Sequence, residues 1–251
     1  MVSLRQSRVM PVGTTVGATS WQTSFNQQPL QGSLLLAVAG FQQDSTGSRN
    51  ITVGSAAGYT LKVTGKRNWI GLAASIKRAG ASETSTVVAT MTTGVTDYQG
   101  LLLAEFTGNF DPDVASTAVP HDRSTVFTST SRAISSMDVG HGLYIPLVVY
   151  SGDGHPSSIV GTFSLLDPTS TATTAWHRIA RAAWSERESG PVTATWNTGG
   201  SASIVVGGIA VPLSEPDLPP EEGVNILRRR GSGWSAPGST VLRRRSGSWT
   251  S

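Results

Sequence analysis

Cysteine is missing from all 251 residues, which excludes a disulfide framework, a thiolate metal site and a cysteine nucleophile. The fold is therefore expected to hold by packing or by association with other chains. Charge is also sparse, at 14% of residues. Residues 1–223 carry 13 Lys and Arg against 16 Asp and Glu, while residues 224–251 carry six Arg and no acid. The basic character belongs to the tail, and the body shows no stripe of cations of the kind a nucleic-acid partner needs. Long apolar runs are lacking too. The longest, "LLLAVAGF" (34–41) and "LYIPLVVY" (143–150), are far shorter than the ~20 residues of a bilayer span, so no membrane insertion is expected. The first residues hold no apolar leader core, which points to a chain made in a cytoplasm and not exported through a cleaved leader.

Catalytic constellations are equally thin. His121, His141, His155 and His177 stand in "PHDRS", "VGHGL", "DGHPS" and "WHR". None has the i, i+4 pairing or the carboxylate spacing of a metal site. No serine sits in a nucleophile elbow. The carboxylates available to flank a glycosidic bond reduce to Glu105 with Asp111 or Asp113. The D-x-D of Asp111 and Asp113 also has the oxygen chemistry of a loop that shares a calcium ion, though aspartate is an ordinary turn residue. Trp21, Trp69, Trp176, Trp184 and Trp196 are either sugar-stacking faces or the large side chains a sandwich core requires. The expectation is a non-enzyme without catalytic, metal or cofactor residues.

What is present is strand pattern. Runs rich in Val, Ile, Leu, Thr and aromatics recur as "GSLLLAVAGF", "GYTLKVTG", "NWIGLAASIKRA", "TSTVVATMTT", "QGLLLAEFTG", "STVFTSTS", "GLYIPLVVYSG", "IVGTFSLLD", "TAWHRIARAAW", "GPVTATWNT" and "SASIVVGGIAVPL". Turn-forming clusters such as "QQDSTGSRN" and "SGDGHPSS" separate them. About ten strands of this kind predict an all-β fold, an antiparallel β-sandwich of jelly-roll-like type over residues 15–213, behind an extension at 1–14. Trp176, Ile179, Ala180, Ala183 and Trp184 have helical spacing. Yet the order "GSLLLAVAGF", "LAASIKRAGASE", "STVVATMTT", "GLLLAEF" returns about 105 residues later as "GLYIPLVVYSG", "AWHRIARAAWSE", "GPVTATWNT", "SIVVGGIAV". The matching "GLAASIKRAG" alternates like a strand, so both segments are read as strands, in two pseudo-equivalent halves.

Residues 214–223, "SEPDLPPEEG", cannot join a ladder and are read as an extended linker. Residues 224–251 are a tandem repeat. At a shift of fifteen, Ile226 falls on Val241, Leu227 on Leu242, Arg228, Arg229 and Arg230 on Arg243, Arg244 and Arg245, and Trp234 on Trp249. Each copy is read as a hairpin, with a strand through the arginines, a turn at "GSG" or "SGS", and a return strand starting at the tryptophan. A unit this short cannot bury its own apolar side, so these twelve residues are the candidate assembly site, set against a partner or another copy.

This tail resembles the Arg-rich, Gly-Ser-Trp endings of minor tail proteins from phages that infect actinobacteria. The body, with "GSLLLAVAGF", "GYTLKV", "SIKRAGASETSTVVATM" and "LLLAEFTGN" in that order, is similar to the β-sandwich domain common in such tail proteins and in some secreted bacterial proteins. The resemblance implies a virion structural protein near the tail tip or fibre, made in the host cytoplasm, without enzymatic activity. It implies other virion proteins as partners and a homo-oligomer such as a trimer. Two further expectations stand beside it: a carbohydrate-binding module that reads host envelope glycans, and a capsid decoration protein.

Overall fold

A computed structural model describes residues 1–10, 18–42, 49–67, 70–95, 99–114, 118–152, 156–166, 180–188, 190–214, 228–230, 233–235, 243–245 and 248–250. The chain divides into two units, Met1–Ser214 and Glu215–Ser251.

The first unit is all-β and antiparallel. Its strands are β1 Ser3–Val9, β2 Ala18–Ser24, β3 Leu34–Gln42, β4 Ile51–Val53, β5 Thr60–Arg67, β6 Ile70–Arg78, β7 Thr86–Val95, β8 Gln99–Thr107, β9 Val119–Val139, β10 Gly142–Gly152, β11 Pro156–Val160, β12 Ser164–Leu165, β13 Ala180–Arg187 and β14 Gly190–Pro212. Fourteen strands among the described residues exceed the ten expected. The segment read as a leading extension supplies β1, which pairs with β8. Polar β2 and three-residue β4 escape a search for apolar runs, and "IVGTFSLLD" is broken at Gly161, whose φ is 119°. In the other direction, "GPVTATWNT" and "SASIVVGGIAVPL" are one continuous strand, β14. The helical spacing near Trp184 yields to the ladder, and Ala180–Arg187 is a strand.

The pairing order repeats. One sheet runs β1-β8-β3-β6-β5, and a three-stranded sheet β2-β7-β4 accompanies it. In the other half the early part of β9 pairs with the late part of β14, which continues through β10 and β13 to β12. The late part of β9 pairs with the early part of β14, which also carries β11. Strand for strand these are the same two ladders, with β9 and β14 each doing the work of two strands. Leu34 lies between Phe106 and Arg78 as Leu143 lies between Val211 and Glu186.

Three apolar layers follow from the alternation of side chains along a strand. Leu34, Leu36 and Val38 of β3 face Leu143, Ile145, Leu147 and Val149 of β10 in a layer shared by the two halves. The alternate residues Leu35, Ala37, Ala39 and Phe41 pack on Trp21, Val87 and Ala89 beneath the β2-β7-β4 sheet. Tyr144, Val148 and Tyr150 pack on Ile134, Ala194 and Trp196 under the folded-back β9–β14 ribbon. Both central strands are thus buried on both faces, which is why they read as unbroken apolar runs.

In the second unit, β15 Arg228–Arg230 pairs with β16 Gly233–Ser235, and β17 Arg243–Arg245 with β18 Ser248–Thr250. Arg230 opposite Gly233 and Arg245 opposite Ser248 leave two residues between the strands, one fewer than expected, so the return strand begins one residue before the tryptophan.

Close approach leaves no room for a side chain at Gly71. Gly71 pairs with Phe41, and a Cβ there would lie 2.2 Å from the ring Cζ of a side chain that is itself fully buried. Gly71→Ala is expected to destabilise the protein by about 1–3 kcal/mol through overpacking. Gly140→Ala, which meets nothing within 4 Å, is expected to stay within about 0.5 kcal/mol of the parent. Denaturant midpoints of the two variants check this.

Candidate functional site

The residues proposed for assembly lie in the second unit. Arg228, Arg229 and Arg230 form β15, Trp234 lies in β16, Arg243, Arg244 and Arg245 form β17, and Trp249 lies in β18. Ile226, Leu227, Val241 and Leu242 lie outside the described residues. The backbone register places Arg229 opposite Trp234 and Arg244 opposite Trp249, the same pairing in each copy.

Glu105, weighed above as a glycosidase carboxylate, has a different position. It lies on β8 with its side chain fully buried and all four hydrogen-bonding directions engaged. Oε1 accepts from the Leu30 N–H at 2.7 Å and the Ser33 hydroxyl at 2.9 Å. Oε2 accepts from Arg5 Nη1 at 2.6 Å and from the Gln6 amide. Burial alone pushes the carboxyl pKa up. The hydrogen bonds from Gln6, the Leu30 N–H, Arg5 and Ser33 together outweigh it and hold the value below the ordinary one. Glu105 therefore clamps β1 and the strap of residues 26–33 to the sheet, with no face left for a substrate.

The strap itself is held by its backbone. The Gln6 amide donates to Gln27 O at 3.0 Å and accepts from Gln27 N at 3.0 Å, as a neighbouring strand would. Arg5 donates to Gln28 O, Arg8 to Asn26 Oδ1, and Gly32 N to Ala79 O. Asp111, in the loop after β8, accepts the Asp113 N–H at 2.7 Å, the geometry of an Asx turn. Among the described residues no group of three or more His, Asp or Glu gathers as a metal site.

The tryptophans are mostly interior. Trp21 and Trp196 are buried, and Trp184 packs edge-on against Phe106 with ring centroids 5.6 Å apart. Trp69 and Trp176 lie outside the described residues, as do His155 and His177. His121 falls within β9.

One open cavity, of about 170 Å³, lies in the second half. Val119, Val139, Tyr144, Ala210 and Pro212 line it, with His141 at its rim. The repeated pairing identifies the place. Ala210 sits between Tyr144 and Val119 as Glu105 sits between Leu35 and Gln6. Val139 pairs at Gly190 as Phe25 bonds Ser85. Eight residues separate Phe25 from Leu34, but only three separate Val139 from Leu143. The cavity thus occupies the position that strap and clamp fill in the first half. Composition and motifs gave no hint of it. Aligning the two halves through this connection, and not only from the glycine before each central strand, reveals the shortening.

Among known proteins, the sequence matches no family model, no curated protein and no solved structure.

Glu105→Gln is expected to cost about 2–4 kcal/mol, because an amide NH₂ would have to face one of the two donor pairs. The sign of the pH dependence follows from the lowered pKa. The contribution is complete above the ordinary glutamate value of 4.5 and is lost as pH falls through the folded-state value, because the unfolded chain binds the proton first. Urea melts between pH 7 and pH 3 should show this slope in the parent and a shallower one in the variant.

Proposed function

We propose that this chain is a structural component of a phage virion, a minor tail or tail-tip protein present in several copies and assembled through its C-terminal repeats. The observation that carries the reading is the recurrence of one backbone register in both tail copies, with the middle arginine opposite the tryptophan each time. A repeat kept at the level of pairing fits a docking element better than a solvated basic extension does. In the sandwich-like all-β body, the acid best placed for catalysis is consumed as a clamp. That supports a scaffold without turnover. The glycan-binding alternative draws less support, since Trp21, Trp184 and Trp196 are engaged in packing. On this reading the protein is made in the host cytoplasm, ends in the particle, and has other virion proteins as neighbours.

On this proposal the tryptophans and the Ile226/Leu227 and Val241/Leu242 pairs are buried on assembly, and the arginines form the rim and fix register. Burying one tryptophan and one leucine per unit contributes roughly a few kcal/mol at ~25 cal/mol per Å². Trp234→Ala with Trp249→Ala is therefore expected to block incorporation into particles at least as severely as replacing all six tail arginines by lysine. The measurement is the amount of each variant in purified virions after complementation of a knockout. If the lysine variant fails and the double-alanine variant incorporates normally, the tail is an arginine-specific charge tether instead.

A further inference from the structure

The two halves carry complementary features at equivalent ends. At the first half's end the strap of residues 26–33 covers the sandwich and exposes Leu30, 48% accessible, directly beside the backbone N–H that Glu105 holds. The Leu30 carbonyl accepts from Ser33, from N–H and hydroxyl alike. An apolar side chain on a loop fixed in this way presents itself with little ordering cost. At the second half's end there is no strap, and Ala210 and Val119 stand where Glu105 and Gln6 clamp it in the first half. The cavity left there holds about 170 Å³, close to the ~150 Å³ that suffices for an apolar guest such as benzene, and hence suited to one leucine side chain.

We infer that the cavity lined by Val119, Val139, Tyr144 and Ala210 is a self-association site that takes Leu30 of a second copy of this chain. Knob and hole lie on different surfaces, so the contact is heterologous and closes into a ring, such as a trimer, or runs as a filament. This deepens the reading of the chain as a multi-copy structural subunit, and it rests on that reading for the presence of several copies side by side.

The chain's lack of cysteine makes the test direct. Full-length Leu30→Cys is mixed with full-length His141→Cys or Val119→Cys carrying a tag of different mass, and the mixture is mildly oxidised. A disulfide between the two different chains is expected at no less than ten times the yield of either chain with itself. In parallel, Leu30→Glu and the cavity-filling Ala210→Leu are each expected to lose self-association by light scattering while keeping the parent's melting profile. Mixing these two restores a dimer, because the Ala210→Leu chain still offers a knob and the Leu30→Glu chain still offers a hole. Lack of the mixed disulfide at both rim positions overturns the inference whatever the oligomeric state. So does loss of association in Ala210→Leu with none in Leu30→Glu, which would assign the cavity to a different partner. The tail reading fails separately: it falls if the double-tryptophan variant enters virions normally while the 30-to-141 disulfide still forms.

Discussion

The apolar layer shared by the two central sheets is the constraint on which the first unit depends. Leu34, Leu36, Val38, Ile70, Leu72, Ala74 and Ile76 from one side meet Leu143, Ile145, Leu147, Val149, Val205 and Ile209 from the other, all essentially inaccessible to solvent. Each three-stranded outer layer covers only the opposite face of its own central sheet. A half alone would therefore expose a whole row of large aliphatics. At about 1.5–3 kcal/mol for each fully buried Leu, Ile or Val, that loss exceeds the 5–15 kcal/mol total stability of an ordinary domain. The halves are one folding unit, although each has its own pair of ladders. The packing is tight enough that Gly207 of β14 faces Val63 of β5, with no room for a Cβ between them.

With the shared layer fixed, the two halves diverge at the ends, where the connections lie. The first half spends eight residues and a buried carboxylate closing its end; the second closes with Gly140 and His141 between β9 and β10. Burying Glu105 is tolerable because every lone pair is answered, so the desolvation of the charge is offset locally. Its counterpart Ala210 asks for nothing and anchors nothing. Difference between duplicated halves is thus concentrated where the shared layer places no demand on the sequence.

Much of this was legible from residue order. Doubly buried β3 and β10 have no polar face, so their apolar runs stood out, and the recurring order of four segments marked the two halves before any pairing was known. The signal failed where polarity had a structural use. β1, "SLRQSRV", reads as a surface extension because Arg5 and Gln6 point their polar groups at Glu105 and at the strap. β2, "ATSWQTS", offers one buried tryptophan among small polar residues. Glu105 stood only as a candidate glycosidase carboxylate, and its structural use is invisible in sequence because its four donors come from residues 5, 6, 30 and 33, about 70 to 100 positions away. The tail turn was misjudged by one residue because "GSG" supplies turn chemistry at three consecutive positions, and only pairing decides which of them close the hairpin.

Repetition acts at two levels in this chain, and its consequences differ. In the tail, two short copies retain one register, with an arginine opposite the tryptophan in each. In the body, two long copies retain their ladders but not their end closures, so one end carries a strap and the other an open cavity. A chain without cysteine and with little charge has few other means of specifying a neighbour. On the inferred self-association, the leucine knob and the apolar hole supply one, since both are held in place by the same doubly buried sheets that hold the protein together.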